Sequence, residues 1–430
     1  MSKIIDCVIG HAIGDAMGVP TEFCIREKLL SNPVTEMIGY GSHPVPKGSW
    51  SDDTSLSIAT IDAIINNNGK INLKDIMMNF YYWLKEDKFT PDVKAFGVGR
   101  ACFRSIAEFS RNLDITTCGQ KDIKSNGNGS LMRIYPIALY SFYKKLKDEE
   151  IIKLVNDISS LTHAHDISKL GCYIYVRYLI YLLEGLNKED AYKKIRMIDY
   201  SSYDEESIKV YKRILDSNII NLKIDDIKSS GYIVDTLEAS LWILLNSKDY
   251  KECIIASTNI GQDTDTIGAV TGAMAGIIYG VDSIPLEWRK TLVKYNYLLE
   301  LADGLERVLT NNYKLPLSKE DALKIASRAL RNSYYRESYE EGEIYTSLDF
   351  NLEAELIHYN GKEAYHVYVN GGSFCFETTD EYRKKFKQGS IFSKLKHNYG
   401  EYTEGKNNGI ECIIYKDTGI YEYLDKSKKL

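Results

Sequence analysis

Proline is scarce and unevenly placed, with eight residues in 430 and none after Pro316. No apolar run approaches the roughly 18 residues needed to cross a bilayer, so no membrane span is expected. The eight cysteines, Cys7, Cys24, Cys102, Cys118, Cys172, Cys253, Cys375 and Cys412, include no C-x-x-C pair, which argues against a zinc knuckle and a disulfide framework alike. Charge of neither sign gathers into a strip. A net charge of −6 with interspersed signs offers no footprint for tracking a nucleic-acid backbone. Small anionic ligands stay possible, because a metal ion or a helix N-terminus supplies local positive potential. The first residues, Met1-Ser-Lys-Ile-Ile-Asp-Cys7, lack the apolar core and cleavage site of a secretory leader, and a cytoplasmic protein is expected.

What is present is mostly helical pattern. To about Asn332 the chain reads as helix after helix: Ile151 to Leu161, Ile167 to Leu183, Thr236 to Leu245 and Ile267 to Tyr279 carry apolar residues at mixed three and four spacing. Two segments are rich in small residues, Gly10-His-Ala-Ile-Gly-Asp-Ala-Met-Gly18 and Gly268-Ala-Val-Thr-Gly-Ala-Met-Ala-Gly276. Glycine inside a helix costs about 1 kcal/mol against alanine, so its repetition marks central helices whose backbones pack closely.

The composition changes after Pro316. No tryptophan lies beyond Trp288, and tyrosines become dense from Tyr334 onward. Glu355-Leu-Ile-His-Tyr359, Ala364-Tyr-His-Val-Tyr-Val369 and Gly409-Ile-Glu-Cys-Ile-Ile-Tyr415 read as strands, with turn signals at Asn360-Gly361 and Asn370-Gly371-Gly372. The fold expected is mainly α: a compact all-helical domain over 1–332 and a small Tyr-rich α+β domain over 333–430.

Two acidic clusters each precede an apolar helix: Ser51-Asp52-Asp53-Thr54 after Gly48-Ser-Trp50, and Asp263-Thr264-Asp265-Thr266 after Gly261-Gln262. Two readings compete. Ser, Asp and Thr before a helix satisfy its unpaired N–H groups and complement its dipole. Gathered carboxylates are equally what a hard cation such as Mg²⁺ or Mn²⁺ requires, whereas zinc favours His or Cys.

Five motifs occur in order: Gly10-x-Ala-Ile-Gly-Asp-Ala-Met-Gly-Val-Pro-Thr-Glu-Phe23, Trp50-Ser-Asp-Asp-Thr54, Gly127-Asn-Gly-Ser-Leu-Met-Arg133, Leu161-Thr-His163 and Gly261-Gln-Asp-Thr-Asp-Thr266. Together they resemble the ADP-ribosylglycohydrolases, the family of ADP-ribosylarginine and ADP-ribosylserine hydrolases and of the dinitrogenase reductase-activating glycohydrolase. The resemblance runs to about Leu309 and gives no guidance beyond Asn332.

The resemblance implies an enzyme that reverses ADP-ribosylation by cleaving the glycosidic bond at the ribose anomeric carbon. A binuclear metal site, two Mg²⁺ with Mn²⁺ as the alternative, falls on Ser51, Asp52 and Asp53 of one loop and Asp263, Asp265 and Thr266 of the other. The family usually has Thr where Ser51 stands and a glycine where Gln262 stands. Glu22 occupies the position of a family glutamate with a catalytic or gating role, and Asp53 and Asp263 share the catalytic assignment. An aspartate proposed as a base in the dinitrogenase-reductase branch aligns with Phe96, which puts a base from that segment in doubt.

Ser125, Gly127, Asn128, Gly129 and Ser130, ahead of a helical stretch from Leu131 to Tyr140, would hold the diphosphate and nearby ribose by resemblance; Gly127-Asn-Gly129 alone also reads as a turn. His163 would contact ribose. His165 has no assigned role, Asp166 is a candidate cap of the next helix, and Arg133 either neutralises a phosphate or buttresses its motif. The partner is the ADP-ribose moiety of a modified protein or small molecule, with a modified nucleic acid also open as acceptor and a monomer expected. Two readings compete with the enzyme: an ADP-ribose-binding module without turnover, and a structural or interaction protein on the same fold.

Overall fold

A computed structural model describes residues 2–310, 317–327, 343–378, 399–401, 411–417 and 421–423. The chain divides into two units, Met1–Thr310 and Asn311–Leu430. Each of the four helices expected from periodicity forms, as Asp148–Ser160, Asp166–Leu183, Ile233–Asn246 and Thr264–Tyr279. Among the described residues no helix is long and apolar enough to cross a membrane.

The centre of the first unit is the crossing of the two small-residue helices, Lys3–Gly18 and Thr264–Tyr279. A Cβ on Gly14 would overlap the Gly268 carbonyl oxygen, and one on Gly10 would overlap that of Gly272. Glycine is therefore what allows these backbones to touch. Tyr250 locks the crossing from outside, its hydroxyl donating to the Gly10 carbonyl at 2.7 Å. Asp15 projects from one helix of this pair and Asp265 from the other, and both are buried.

The helix Asp52–Asn66 packs alongside. It is buried nearly all round, as expected of a helix without a polar face. Its cap is Ser51, whose hydroxyl accepts from the Asp53 amide at 3.2 Å. Three helix termini, those at Gly18, Asp52 and Thr264, thus bring their polar residues to one place.

The second unit holds a five-stranded sheet: β1 (Glu343–Tyr359), β2 (Lys362–Thr378), β3 (Tyr399–Glu401), β4 (Cys412–Tyr415) and β5 (Tyr421–Tyr423), with path β1-β2-β4-β5 and β3 also on β2. Asn360 and Gly361, at φ 50° and 78°, make the two-residue hairpin between β1 and β2. The turn expected at Asn370-Gly371-Gly372 does not form. There β2 continues, and the register steps from Phe350↔Gly372 to Leu352↔Val369, so the glycines serve a β-bulge.

The first unit ends at Thr310, whereas the sequence reading placed a boundary at 332, a position outside the described residues. Leu317, Ala322, Ile325 and Ala326 pack with Ala354, Tyr365, Val367, Cys412 and Ile414 in one apolar cluster, so residues 317–327 belong with the sheet.

Candidate active site

Ser51, Asp52 and Asp53 sit at the buried start of their helix. Beneath them lies Asp15, which the sequence reading did not single out. Its carboxylate accepts from the amide of Ser51 at 3.0 Å, the amide of Thr54 at 3.0 Å and the hydroxyl of Thr54 at 2.7 Å. An aspartate four residues after His11, in a stretch from Cys7 to Gly18 otherwise made of small and apolar residues, was the available signal. Even with these donors, burial holds the Asp15 carboxyl up at about 6.

Asp263, Asp265 and Thr266 arrive at the start of the opposing helix. The hydroxyl of Thr266 donates to Asp53 at 3.4 Å, and that of Ser51 to the same carboxylate oxygen at 2.9 Å. Thr264 faces away, donating to the Gly18 carbonyl at 2.9 Å and tying the two helix ends together. The loop before Asp263 turns through Gly261 and Gln262, at φ 85° and 64°. That left-handed geometry is one glycine adopts freely, so Gln262 holds a conformation that side chains disfavour.

The ligand atoms of Asp15, Asp53 and Asp265 lie within 4.8 Å of one another, as do those of Glu22, Asp263 and Asp265. Asp265 is common to both groups. Burial raises the carboxyls of Asp52, Asp53, Asp263 and Asp265 above their usual range, and repulsion from neighbouring carboxylates adds to it. Asp53 Oδ1 is buried without a hydrogen-bond partner. An all-oxygen set with an orphaned carboxylate oxygen fits a hard divalent cation, which would relieve both the repulsion and the desolvation. Asp52 lies in neither group; it lies under Gly97, whose φ of 84° and lack of a Cβ let the chain cross its carboxylate.

Glu22 follows the short turn Val19–Thr21 that ends the Lys3–Gly18 helix. The His43 ring Nε2 is hydrogen-bonded to its carboxylate. The loop is pinned to the second acidic segment by the Phe23 amide on the Gln262 carbonyl, 2.6 Å, and the Gln262 amide on the Cys24 carbonyl, 2.8 Å.

Glu22, Asp52, Asp53, Asp263, Asp265 and Thr266 line a cleft of about 880 Å³, together with Ser125, Gly127, Asn128, Gly129 and His163. Ser130 does not reach it. Its hydroxyl is buried, accepting from Ser159 and Cys172. The Asn128 side chain donates to Asp263 at 2.6 Å and to Thr236 at 2.9 Å, and its backbone amide to Gly231 at 3.0 Å, so this residue braces an acidic ligand. The helix expected from Leu131 begins at Tyr135, because residues 128–133 turn first. Neither Gly127 nor Gly129 has a positive φ; Gly129 is needed for room, since a Cβ there would stand 2.8 Å from Cys102 Sγ and 3.0 Å from His163 Cε1.

Arg133 is fully buried, donating to Ile158 and, at 2.7 Å, to the Thr162 hydroxyl. It is a buttress. Thr162 in turn lies 2.8 Å from His163 Nδ1. A Thr162 hydroxyl that accepts from Arg133 still has its proton to give to Nδ1, an arrangement that leaves the His163 proton on Nε2, the nitrogen nearer Gly127. Burial, aided by Arg133, lowers the His163 pKa to about 3, so the ring is neutral. The next helix is capped by His165, whose Nδ1 accepts from the Ile167 amide, and starts at Asp166. Arg100, Arg104 and Lys124, which no motif pointed to, add cationic groups to the cleft lining.

The family model described as ADP-ribosylglycohydrolase matches residues 1–314. Among curated proteins, the ADP-ribosylarginine hydrolase Tri1 of Pseudomonas putida is 29% identical over 69% of this chain and 76% of its own length. Tri1 of Serratia proteamaculans is 26% identical over 71% and 79%. The ADP-ribosyl-[dinitrogen reductase] glycohydrolase of Rhodospirillum rubrum is 27% identical over 67% and 90%. A solved structure titled ADP-ribosylglycohydrolase-related protein complex superposes with TM-score 0.60 at 26% identity, covering 71% of this chain and 98% of that one.

Proposed function

The chain belongs to the ADP-ribosylglycohydrolase family, whose named relatives hydrolyse ADP-ribosyl glycosidic bonds, and from that premise we propose that it frees ADP-ribose from an ADP-ribosylated acceptor in a metal-dependent reaction. The observation that carries the proposal is the convergence of Asp53, Asp263 and Asp265 with Glu22 in the lining of a cleft that also holds His163, with buried Asp15 close behind Asp53 and Asp265.

In this reading Asp53, Asp263 and Asp265 hold one or two Mg²⁺ or Mn²⁺ ions, with Ser51, Asp52, Thr266 and Asp15 as further oxygen donors or supports. Bound cations supply charge that orients the ribose diol and polarises groups at the anomeric carbon. The rest falls to the chain. Water adds its oxygen to the anomeric carbon and gives up a proton; the bond to the acceptor breaks, and its electron pair leaves with the acceptor, which takes a proton. Glu22 is the carboxylate beside the cluster suited to that proton exchange. His163 offers Nε2–H to a ribose hydroxyl. Gly127 and Gly129 give the diphosphate close backbone approach, and Arg100, Arg104 and Lys124 complement its charge.

The relatives' names make ADP-ribosylarginine the first acceptor to try. The test is release of free ADP-ribose from a panel of arginine, serine and O-acetyl conjugates, with Mg²⁺ and with chelator, for the wild type and an Asp263→Asn, Asp265→Asn double variant. Release by the wild type with Mg²⁺, abolished by either treatment, is expected. Binding of ADP-ribose without release from any conjugate would move the protein to a recognition role.

A further inference from the structure

Glu22 is placed where its own charge works against it. One of its carboxylate oxygens lies within 4.8 Å of oxygens on Asp263 and Asp265, a spacing at which like charges repel. Something must hold it in. The described contact that does so is the His43 ring, whose Nε2 is hydrogen-bonded to a Glu22 carboxylate oxygen. Imidazole Nε2–H is the natural donor to a carboxylate oxygen, which as a carboxylate only accepts.

The surroundings are built for that contact. The loop bearing His43 is anchored by buried Met37 and Val45. It is fastened to the Glu22 segment by the Ser42 amide on the Pro20 carbonyl, 3.0 Å, and by the Ser42 hydroxyl on the Glu22 carbonyl. Gly41 lies so close to Pro20 that a Cβ would overlap its carbonyl oxygen. Two aromatic rings flank the imidazole: Phe96 with centroids 5.0 Å apart and Phe23 at 6.1 Å. Phe96 is carried there by the turn at Gly97 that crosses Asp52. The histidine and glutamate side chains are consequently only 17% and 11% exposed, and a charge-assisted hydrogen bond screened from water is stronger than one in solvent.

We infer that His43 is a positioning residue for the reaction: it fixes the Glu22 carboxylate against the acidic cluster, with its own ring seated against Phe96. This rests on the reading of Glu22 as the proton-exchanging group. It also gives Phe96 a function distinct from that of a base, as a wall of the histidine's seat.

The test compares His43→Phe, which keeps a ring and loses the donor, with His43→Gln, which keeps an N–H at similar reach, and with Glu22→Gln. On an ADP-ribosyl conjugate that the wild type cleaves, His43→Phe is expected to lower kcat about tenfold at unchanged KM and unchanged Mg²⁺ affinity by calorimetry, and His43→Gln to recover most of kcat. Wild-type kcat in His43→Phe, or equal loss in both His43 variants, overturns the inference while leaving the hydrolase reading intact. Wild-type kcat in Glu22→Gln removes the role of Glu22 and the inference with it. A second readout needs no turnover: the imidazole ¹⁵N resonances of His43 should shift in Glu22→Gln, and their constancy would show that the ring does not hold that carboxylate. If no conjugate is cleaved, this spectrum alone decides.

Discussion

The Thr54 hydroxyl donates to the Asp15 carboxylate at 2.7 Å, joining the second helix of the site to the first behind the acidic cluster. Replacing Asp15 by alanine leaves the Ser51 and Thr54 amides without that acceptor. Buried donors stranded in this way cost about 1–3 kcal/mol each. Asp15→Ala is expected to lower the unfolding temperature and to weaken Mg²⁺ binding at least tenfold, read by calorimetry. Unchanged Mg²⁺ affinity would place Asp15 outside the ion's surroundings.

The metal-free protein should be less stable at alkaline pH. Asp15 in the folded state titrates near 6 against 3.8 when unfolded, and burial raises Asp52, Asp53, Asp263 and Asp265 as well. The folded chain therefore binds more protons than the unfolded one in this range, and stability falls as pH rises through the folded values. Melting temperatures in chelator are expected to decline from pH 5 to pH 8. Saturating Mg²⁺ should flatten the decline; an identical slope with and without Mg²⁺ would contradict a cation among these carboxylates.

His163 is neutral across the physiological range, its pKa lowered to about 3 by burial and by Arg133. Its contribution to ADP-ribose affinity should therefore not vary between pH 5.5 and 8. His163→Ala is expected to weaken binding about tenfold at every pH, the loss typical of a buried hydrogen bond. A loss confined to the acidic end would mean that the ring is charged.

At the helix crossing, Gly268→Ala places a methyl into the Gly14 backbone. The helices must separate, at a cost of about 3 kcal/mol or more. Thermal unfolding measures the loss, and Mg²⁺ affinity should fall with it, because Asp265 moves away from Asp15.

Truncation belongs after Thr310, since residues 317–327 supply side chains to the sheet's apolar cluster. Cleavage by residues 1–310 separates a role of the second unit in recognising a modified protein from a structural one, and the first is the outcome tested. Residues 1–310 should then cleave a small ADP-ribosyl conjugate at near wild-type rate and a modified protein more slowly. Equal loss on both substrates would assign the second unit a structural role.

The acidic pairs were legible because their members adjoin in sequence and precede apolar helices, where both capping and ion binding favour them. Asp15 was overlooked for the opposite reason: a single carboxylate among glycines and alanines shows its use only once Ser51 and Thr54 are folded against it. His43 carried no motif at all, and its pairing with Glu22 arises from a loop fold that sequence spacing does not encode. Ser130 and Asn128 illustrate the converse. Their motif was visible, yet one hydroxyl is turned to Ser159 and the other side chain is engaged by Asp263. In the second unit Asn360-Gly361 announced its hairpin, whereas Asn370-Gly371-Gly372 carried the same turn chemistry into a bulge, because the register of the long ladder resumes on either side.

The bond from Thr264 to the Gly18 carbonyl spans 246 positions of the chain. Closing a loop of that length sacrifices entropy before any long-range contact forms, so the two halves of the site meet late in folding. A chain emerging from the ribosome would carry Asp15, Glu22 and Asp53 long before Asp263 and Asp265 exist. An ion that needs both halves can select only the finished fold, and it would deepen the native basin by mass action without rewarding partly folded states.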